Sequence, residues 1–157
     1  MNCRLLLNAG LFQLGWWACV LSPEQPWLLA FALLILAAHL LWLARPGEWR
    51  GVLLVTLCGS ALDALLGAIG LFDFSLPPPW LILLWALLAC TLRHSLAWSA
   101  RPIWRAALLG ALAAPPAYIA GATLAGVGLP LGMPLSWLLL AVLWAGVLPL
   151  CQRLMAN

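Results

Sequence analysis

The sequence predicts an all-α, polytopic membrane helical bundle with six transmembrane helices, and three observations support that prediction. Of the 157 residues, 66% are hydrophobic and only 7% are charged, whereas soluble domains carry about 25% charged residues. The mean hydropathy is +1.09. The apolar residues form six runs, separated by breaks such as "SPEQP", "RPGEWR" and "DFSLPPP". We therefore expect residues 1–157 to form a single transmembrane domain.

Each apolar run is long enough to cross a bilayer, which takes about 17 to 25 helical residues. The predicted spans are residues 4–22, 27–44, 51–72, 79–98, 104–127 and 134–152. The runs lack the alternation of apolar and polar residues that marks the strands of a membrane barrel. Helices are therefore the predicted elements throughout.

The residues at the starts and along the faces of these spans predict how they are arranged. The second, fourth and sixth spans begin with "PWLL", "PWLI" and "PLSW", and proline favours the first turn of a helix while tryptophan anchors it at the interface. The third and fifth spans are rich in small residues, including Gly59 and Gly67 in one and Gly110 and Gly121 in the other. Because small residues let helices approach closely in lipid, we expect these two spans at the centre of the bundle.

All basic residues fall at one end of the predicted bundle. The sequence has no lysine, and its seven arginines lie near the N-terminus, in the second–third and fourth–fifth connections and near the C-terminus: Arg4, Arg45, Arg50, Arg93, Arg101, Arg105 and Arg153. The opposite connections carry Glu24 and Asp73. The positive-inside rule then predicts that both termini are cytoplasmic. The net charge of +3 reports this asymmetry, and no nucleic-acid partner is expected.

Asp63 stands in the middle of the third span, in the run "LCGSALDALLGAIG". At 1.5 Å per residue it lies about 18 Å from the start of that span, near the bilayer midplane, where a charged side chain costs roughly 3 kcal/mol. We therefore expect Asp63 to face the interior of the bundle. Ser60 shares its helix face, while Gln13 of the first span and Tyr118 of the fifth lie at comparable depth.

Two interpretations of Asp63 stay open. In the first, Asp63, Gln13 and Tyr118 line a functional site beside a fifth span that Pro115 and Pro116 weaken. In the second, Asp63 is a structural hydrogen-bonding centre for the third, first and fifth spans.

A second polar group is predicted toward the arginine-bearing end. Arg93 and His94 lie toward the end of the fourth span, His39 lies near the end of the second and Asn8 near the start of the first, all at similar depth. Three interpretations are open. Arg93 extends to the lipid phosphates while the histidines bond to neighbouring carbonyls, or the group contacts a lipid or substrate, or the two histidines ligate a haem.

The remaining chemistry matches no common enzyme motif. The five cysteines lack the spacing of zinc ligands or of a disulfide framework, and HExxH, P-loop and Gly-x-Ser-x-Gly motifs are missing. We therefore expect no metal and no cofactor. Asp63, His94 and Tyr118 are the candidate catalytic residues of any enzyme activity, and Glu48 is expected to pair with a neighbouring arginine at the surface.

Four motifs carry a resemblance to a known family: "LNAGLFQLGWWACVL", "GSALDALLGAIGLFDF", "PPPWLILLWALLACTLRHSLAW" and "APPAYIAGATLAG". Over nearly its whole length the chain resembles a family of small, uncharacterised proteobacterial inner-membrane proteins, the domain of unknown function DUF 2878. The genes of that family tend to lie beside genes for fatty-acyl modification of the cyclopropane-synthase type and for oxidative stress responses. The resemblance thus implies a bacterial inner-membrane protein associated with the remodelling of membrane lipids.

Three hypotheses about function follow. The first is an accessory or scaffold protein in membrane lipid modification or envelope stress, with membrane lipids and lipid-modifying membrane proteins as partners and a homo-oligomer as a possible assembly. The second is an integral membrane enzyme that acts on a lipid or acyl chain. The third is a small-solute or proton transporter in which Asp63 titrates. The residues expected to contact lipid or substrate are Gln13, His39, Ser60, Asp63, Arg93, His94 and Tyr118.

Overall fold

The computed structural model describes residues 3–156 and shows an all-α bundle. Within that range the chain forms six α-helices, with bounds α1 Cys3–Leu21, α2 Trp27–Ala38, α3 Glu48–Ala68, α4 Pro79–Leu92, α5 Trp104–Leu124 and α6 Met133–Ala156. The prediction of six helices and an all-α fold is confirmed.

Four of these helices are long and apolar enough to cross a membrane: α1, α3, α5 and α6. The other two apolar helices, Trp27–Leu43 and Pro79–Leu92, are shorter. The chain is therefore a helical membrane protein by the length and composition of its helices. A total of six spans stays a prediction.

The second and fourth helices depart from the predicted spans where polar side chains need particular directions. After Ala38, α2 widens into a π-helical turn over His39–Leu43, where residues 27–44 were predicted as one helix. The fourth helix ends at Leu92, although the predicted span ran to residue 98, because the N–H groups of His94 and Leu96 both turn back to the Thr91 carbonyl. π-helical turns and irregular turns of this kind re-aim side chains and are frequent at functional sites.

Glycines set both ends of α3, which runs three to four residues earlier than the predicted span of 51–72. Gly47 precedes the helix with a φ of 78°, and Gly70 follows it with a φ of 79°. At the second end the Leu71 N–H bonds to the Leu66 carbonyl, which is the closing bond of a Schellman motif.

The centre of the bundle is α4, and the prediction that α3 and α5 occupy it is wrong. Ten of the 14 residues of α4 are buried, and this helix packs against α1, α2, α3 and α6. The reason is close packing: α2 is as apolar on every side as α4, but Gly59 of α3 and Gly15 of α1 make room for Trp85 and Leu87 of α4. Its neighbours carry small residues on the one face that meets a partner.

The small residues of α5 do bring that helix into close contact, but with α6. A Cβ atom added at Gly110 would collide with the main-chain carbonyl of Trp144. A backbone atom cannot rotate out of the way as a side chain can. The α5–α6 pair is therefore the most extensive helix contact in the described chain.

We predict that Gly110→Ala destabilises the protein by about 2 kcal/mol, the usual cost of forcing a methyl group into a packed interface. The matched control is Gly146→Ala on α6, where an added Cβ atom meets nothing within 4 Å. Thermal unfolding of the purified variants in one detergent measures the difference. Equal midpoints for the two variants would contradict the tight α5–α6 contact.

Candidate functional site

A groove runs through the bundle between α1, α4, α5 and α6. It has a volume of about 320 Å³, at the lower end of the range typical of small-molecule sites. The polar side chains other than tryptophan in its lining are those of Gln13 and Tyr118. The groove is therefore an apolar cleft with very few hydrogen-bonding groups.

Two helices supply continuous stripes to this groove. The lining residues of α4 recur once per helical turn: Trp80 and Leu81, then Leu84 and Trp85, then Leu88. Those of α5 follow the same spacing and are mostly small: Leu109, Gly110, Ala113, Ala114, Ala117, Tyr118, Gly121 and Ala122. Because residues at these spacings share one helix face, the small residues of α5 leave the space that the groove occupies.

The groove opens to the surroundings between α1 and α5. Gln13 on α1 and Ala113 and Ala117 on α5 line it and are exposed. Near the other end α1 and α5 come together, where Gly121 approaches the Val20 side chain. In a bilayer, an opening on the side of the bundle faces lipid.

Asp63 lies behind the wall of this groove and is completely buried. Its Oδ2 accepts a hydrogen bond from the Trp85 indole N–H at 2.6 Å, and its Oδ1 accepts one from the Tyr118 hydroxyl at 3.1 Å. Gly59, one turn before Asp63, has no side chain, and the Trp85 ring occupies that space against α3. Asp63 thus joins α3, α4 and α5.

This arrangement differs in part from the one expected from the sequence. Asp63 and Tyr118, which were expected at comparable depth, are in contact, but the third partner is Trp85 of α4. Gln13 of α1 lies in the groove lining instead. Ser60 is half-buried, and its hydroxyl has no hydrogen-bond partner among the described residues.

A second polar cluster lies toward the arginine-bearing end, and its centre is Glu48. The Glu48 side chain is fully buried. It accepts hydrogen bonds from the Arg45 main-chain N–H at 2.8 Å, from His39 Nε2 at 3.2 Å and from His94 Nε2 at 3.0 Å to each carboxylate oxygen. The predicted pairing of Glu48 with an arginine side chain is wrong, because the two histidines occupy its carboxylate.

Asn8 fixes the protonation pattern of this cluster. Its Oδ1 accepts from the main-chain N–H and the hydroxyl of Ser95, so its Nδ2 is the donor to the Cys90 carbonyl at 3.0 Å and to His39 Nδ1 at 3.2 Å. His39 Nδ1 is therefore an acceptor, and the proton of that imidazole is on Nε2, facing Glu48.

The same three side chains have the composition of a metal centre, since ligand atoms of His39, Glu48 and His94 lie within 4.8 Å of one another. Metal binding by His39 Nε2 would move its proton to Nδ1, where a ligating histidine needs an acceptor. Asn8 presents a donor there. The cluster therefore fits a hydrogen-bonded junction better than a metal site.

A haem is also poorly accommodated by these histidines. Their ring centroids are 4.9 Å apart and the rings meet edge to face. A porphyrin ligated on both sides would need its whole plane between them. The interpretation in which the histidines bond locally comes closest to the structure, with Glu48 as the acceptor in place of main-chain carbonyls.

Arg93 does not join this cluster, although the sequence places it beside His94. It is half-buried, and within residues 3–156 no arginine side chain forms an ion pair with a carboxylate. Arg93 and the other arginines therefore leave a positive, unneutralised end on the bundle.

Sequence reasoning missed Glu48 and Trp85. The sequence offered little indication that Glu48 is buried, because a glutamate that lies among arginines in a connection between spans is typical of the surface. Trp85 had a usable signal: it is the seventh residue of an apolar helix, where an indole N–H requires an acceptor, and Asp63 was one of the acceptors expected in the bundle interior.

Comparison with known proteins gives one match. A family model described as "Protein of unknown function (DUF2878)" matches residues 5–150. No curated protein and no solved structure matches the chain significantly.

We predict that Asp63→Leu is far more damaging than Asp63→Asn. Leucine leaves the buried Trp85 N–H without an acceptor, which costs about 1 to 3 kcal/mol. Asparagine offers its carbonyl oxygen to Trp85 and its N–H to the Tyr118 oxygen. Unfolding midpoints of both variants against wild type test this, and equal loss in both would mean that the negative charge itself is required.

We also predict that Glu48→Gln lowers the stability by roughly 1.5 to 3 kcal/mol, the range for hydrogen bonds to a charged group. Three donors face Glu48, and a glutamine has only one acceptor atom for them. Glu24→Gln, an exposed position, is the matched control. If both variants unfold at the wild-type temperature, the Glu48 cluster does not hold the helices together.

Proposed function

The chain belongs to the DUF2878 family of proteins of unknown function, and we propose that it is a membrane protein that binds lipid acyl chains. In this proposal it serves as an accessory protein to enzymes that modify membrane lipids. The observation that carries the proposal is the apolar groove, which opens on the side of the bundle.

The shape of the groove supports a hydrocarbon chain as its occupant. Its lining on α5 runs from Leu109 to Ala122, which is about 20 Å of helix at 1.5 Å per residue. Such a long and narrow apolar cleft suits an extended chain better than a compact solute. In a bilayer, lipid tails are the molecules that meet its opening.

The charge distribution supports an anionic headgroup at one end. The seven arginines lie in segments at one end of the bundle, and basic clusters at a membrane surface attract anionic lipids. By the same charge asymmetry we propose that this end and both termini are cytoplasmic, in the inner membrane of a bacterium.

An enzyme that acts on the bound chain is the second candidate, because Tyr118 lines the groove and its hydroxyl donates to Asp63 behind it. A hydroxyl so paired has a proton acceptor within reach, which general acid–base chemistry requires. Chemical change in a lipid incubated with the purified protein, lost in Tyr118→Phe, would establish this function.

Transport through Asp63 is less well supported. That function needs a polar route to the carboxylate from both sides, and Asp63 is completely buried behind an apolar lining. Association with other membrane proteins or with a second copy of this chain is compatible with the accessory function and is part of the proposal.

Filling the groove tests the main proposal. We predict that Ala117→Phe reduces the lipid retained by the purified protein at least about fivefold, because the new ring occupies the space of the chain. Fitting a chain beside that ring costs about 1 kcal/mol or more of lipid-binding free energy. Ala120→Phe is the matched control, since Ala120 is exposed on the same helix. Native mass spectrometry after mild delipidation counts the bound lipid.

Ala113→Phe is the second variant, for the case that Ala117→Phe unfolds. Lipid retention at the wild-type level in a folded groove-filled variant would overturn the proposal.

A further inference from the structure

The two halves of the groove have different chemistry. Toward the arginine-bearing end the lining is mostly aliphatic: Leu88, Leu96, Leu109 and Leu148, with Phe12 as an aromatic member. Further along the same helices aromatic side chains predominate beside Leu81 and Leu84: Trp85 on α4, Tyr118 on α5 and Trp144 on α6, one to three turns beyond Leu88, Leu109 and Leu148.

The aromatic side chains of the second half form one continuous row: Phe74, Phe72, Tyr118, Trp144 and Trp85. The ring centroids of successive members are 5.5, 5.6, 5.7 and 5.2 Å apart, all within the range of interacting aromatic pairs. Every member of the row lines the groove.

Packing alone does not require so many rings beside an opening. α5 supplies mostly alanine and glycine to the groove, so the aromatic row borders the space left by these small residues, together with aliphatic side chains such as Leu81 and Leu84. Leucine also fills helix interfaces and, unlike tyrosine and tryptophan, has no polar atom to satisfy.

From this arrangement we propose that the groove selects chains that carry carbon–carbon double bonds over saturated chains. An aromatic face is electron-rich and its edge electron-poor. A double bond is flat and polarisable, and its hydrogens are more positive than those of a saturated chain, so it gains from ring faces and edges. A saturated segment gains dispersion alone.

The order of the two halves specifies where the double bond lies. With a headgroup at the arginines, the carbons next to it meet the leucines, and carbons from the middle of the chain meet the aromatic row. The ligand class is therefore a membrane lipid with unsaturation near the middle of its chain. This inference rests on the proposed function of acyl-chain binding.

The test is competition between two defined lipids. Purified protein is exchanged into an equimolar mixture of phosphatidylglycerol with palmitoyl chains and phosphatidylglycerol with palmitoleoyl chains, and the retained lipids are counted by native mass spectrometry. We expect the unsaturated lipid to be enriched about fivefold, the magnitude of a single favourable aromatic contact.

Phe72→Leu should bring the ratio of the two retained lipids close to one. Phe31→Leu is the matched control, because Phe31 is exposed on α2 and outside the groove lining. Phe74→Leu is the substitute if Phe72→Leu fails to fold, since Phe72 is buried and Phe74 is the outer member of the row.

The possible outcomes distinguish a failure of the selection for unsaturated chains from a failure of acyl-chain binding. If wild type retains no more of either lipid than Ala117→Phe does, acyl-chain binding itself fails. If wild type retains both lipids equally and well, the groove binds chains but the selection for unsaturation is refuted. A preference that persists unchanged in Phe72→Leu and Phe74→Leu would likewise refute the role of the aromatic row.

Discussion

The bundle depends on one buried carboxylate that has to be hydrogen-bonded. Asp63 has no exposed surface, and an unpaired charge in such a place costs several kcal/mol. The Trp85 indole and the Tyr118 hydroxyl satisfy it from two other helices. This requirement holds both rings in fixed positions, and those rings are two of the eight aromatic side chains that line the groove. A residue that never touches the cleft therefore shapes its wall.

The polar clusters around Asp63 and Glu48 connect different sets of helices. Asp63 joins α3, α4 and α5. Glu48 joins the π-helical turn, the start of α3 and the turn after α4, while Asn8 adds α1. Together they fix α1, α3, α4 and α5 without filling the space between them. The space remains because α5 presents alanine and glycine where a bulkier helix would have closed it. An open cleft is thus compatible with a rigid frame.

The sequence predicted the class of fold, the six helices and an Asp63 that faces the interior of the bundle, since each follows from composition or from the cost of a charge in lipid. Three features lay outside its reach. The central position of α4 depends on how six helices share contacts, which small-residue patterns on α3 and α5 do not decide. Glu48 became a buried acceptor only because the chain turns at His39 and after Leu92. The groove itself is a space between helices. From the sequence, residues such as Ala113 and Ala117 are equally consistent with lining a groove and with packing against a neighbouring helix.

The most direct measurement of acyl-chain binding is photo-crosslinking with a phospholipid that carries a diazirine in the middle of one chain. Protein in bilayers of native-like composition is irradiated, and adducts are mapped by peptide mass spectrometry. Binding in the groove predicts adducts concentrated on lining residues such as Ala113, Ala117 and Tyr118, and their loss when Ala117→Phe fills the space. Adducts spread over outward-facing side chains such as Leu41 and Val142, which are 76% and 69% exposed, with none in the groove, would contradict it.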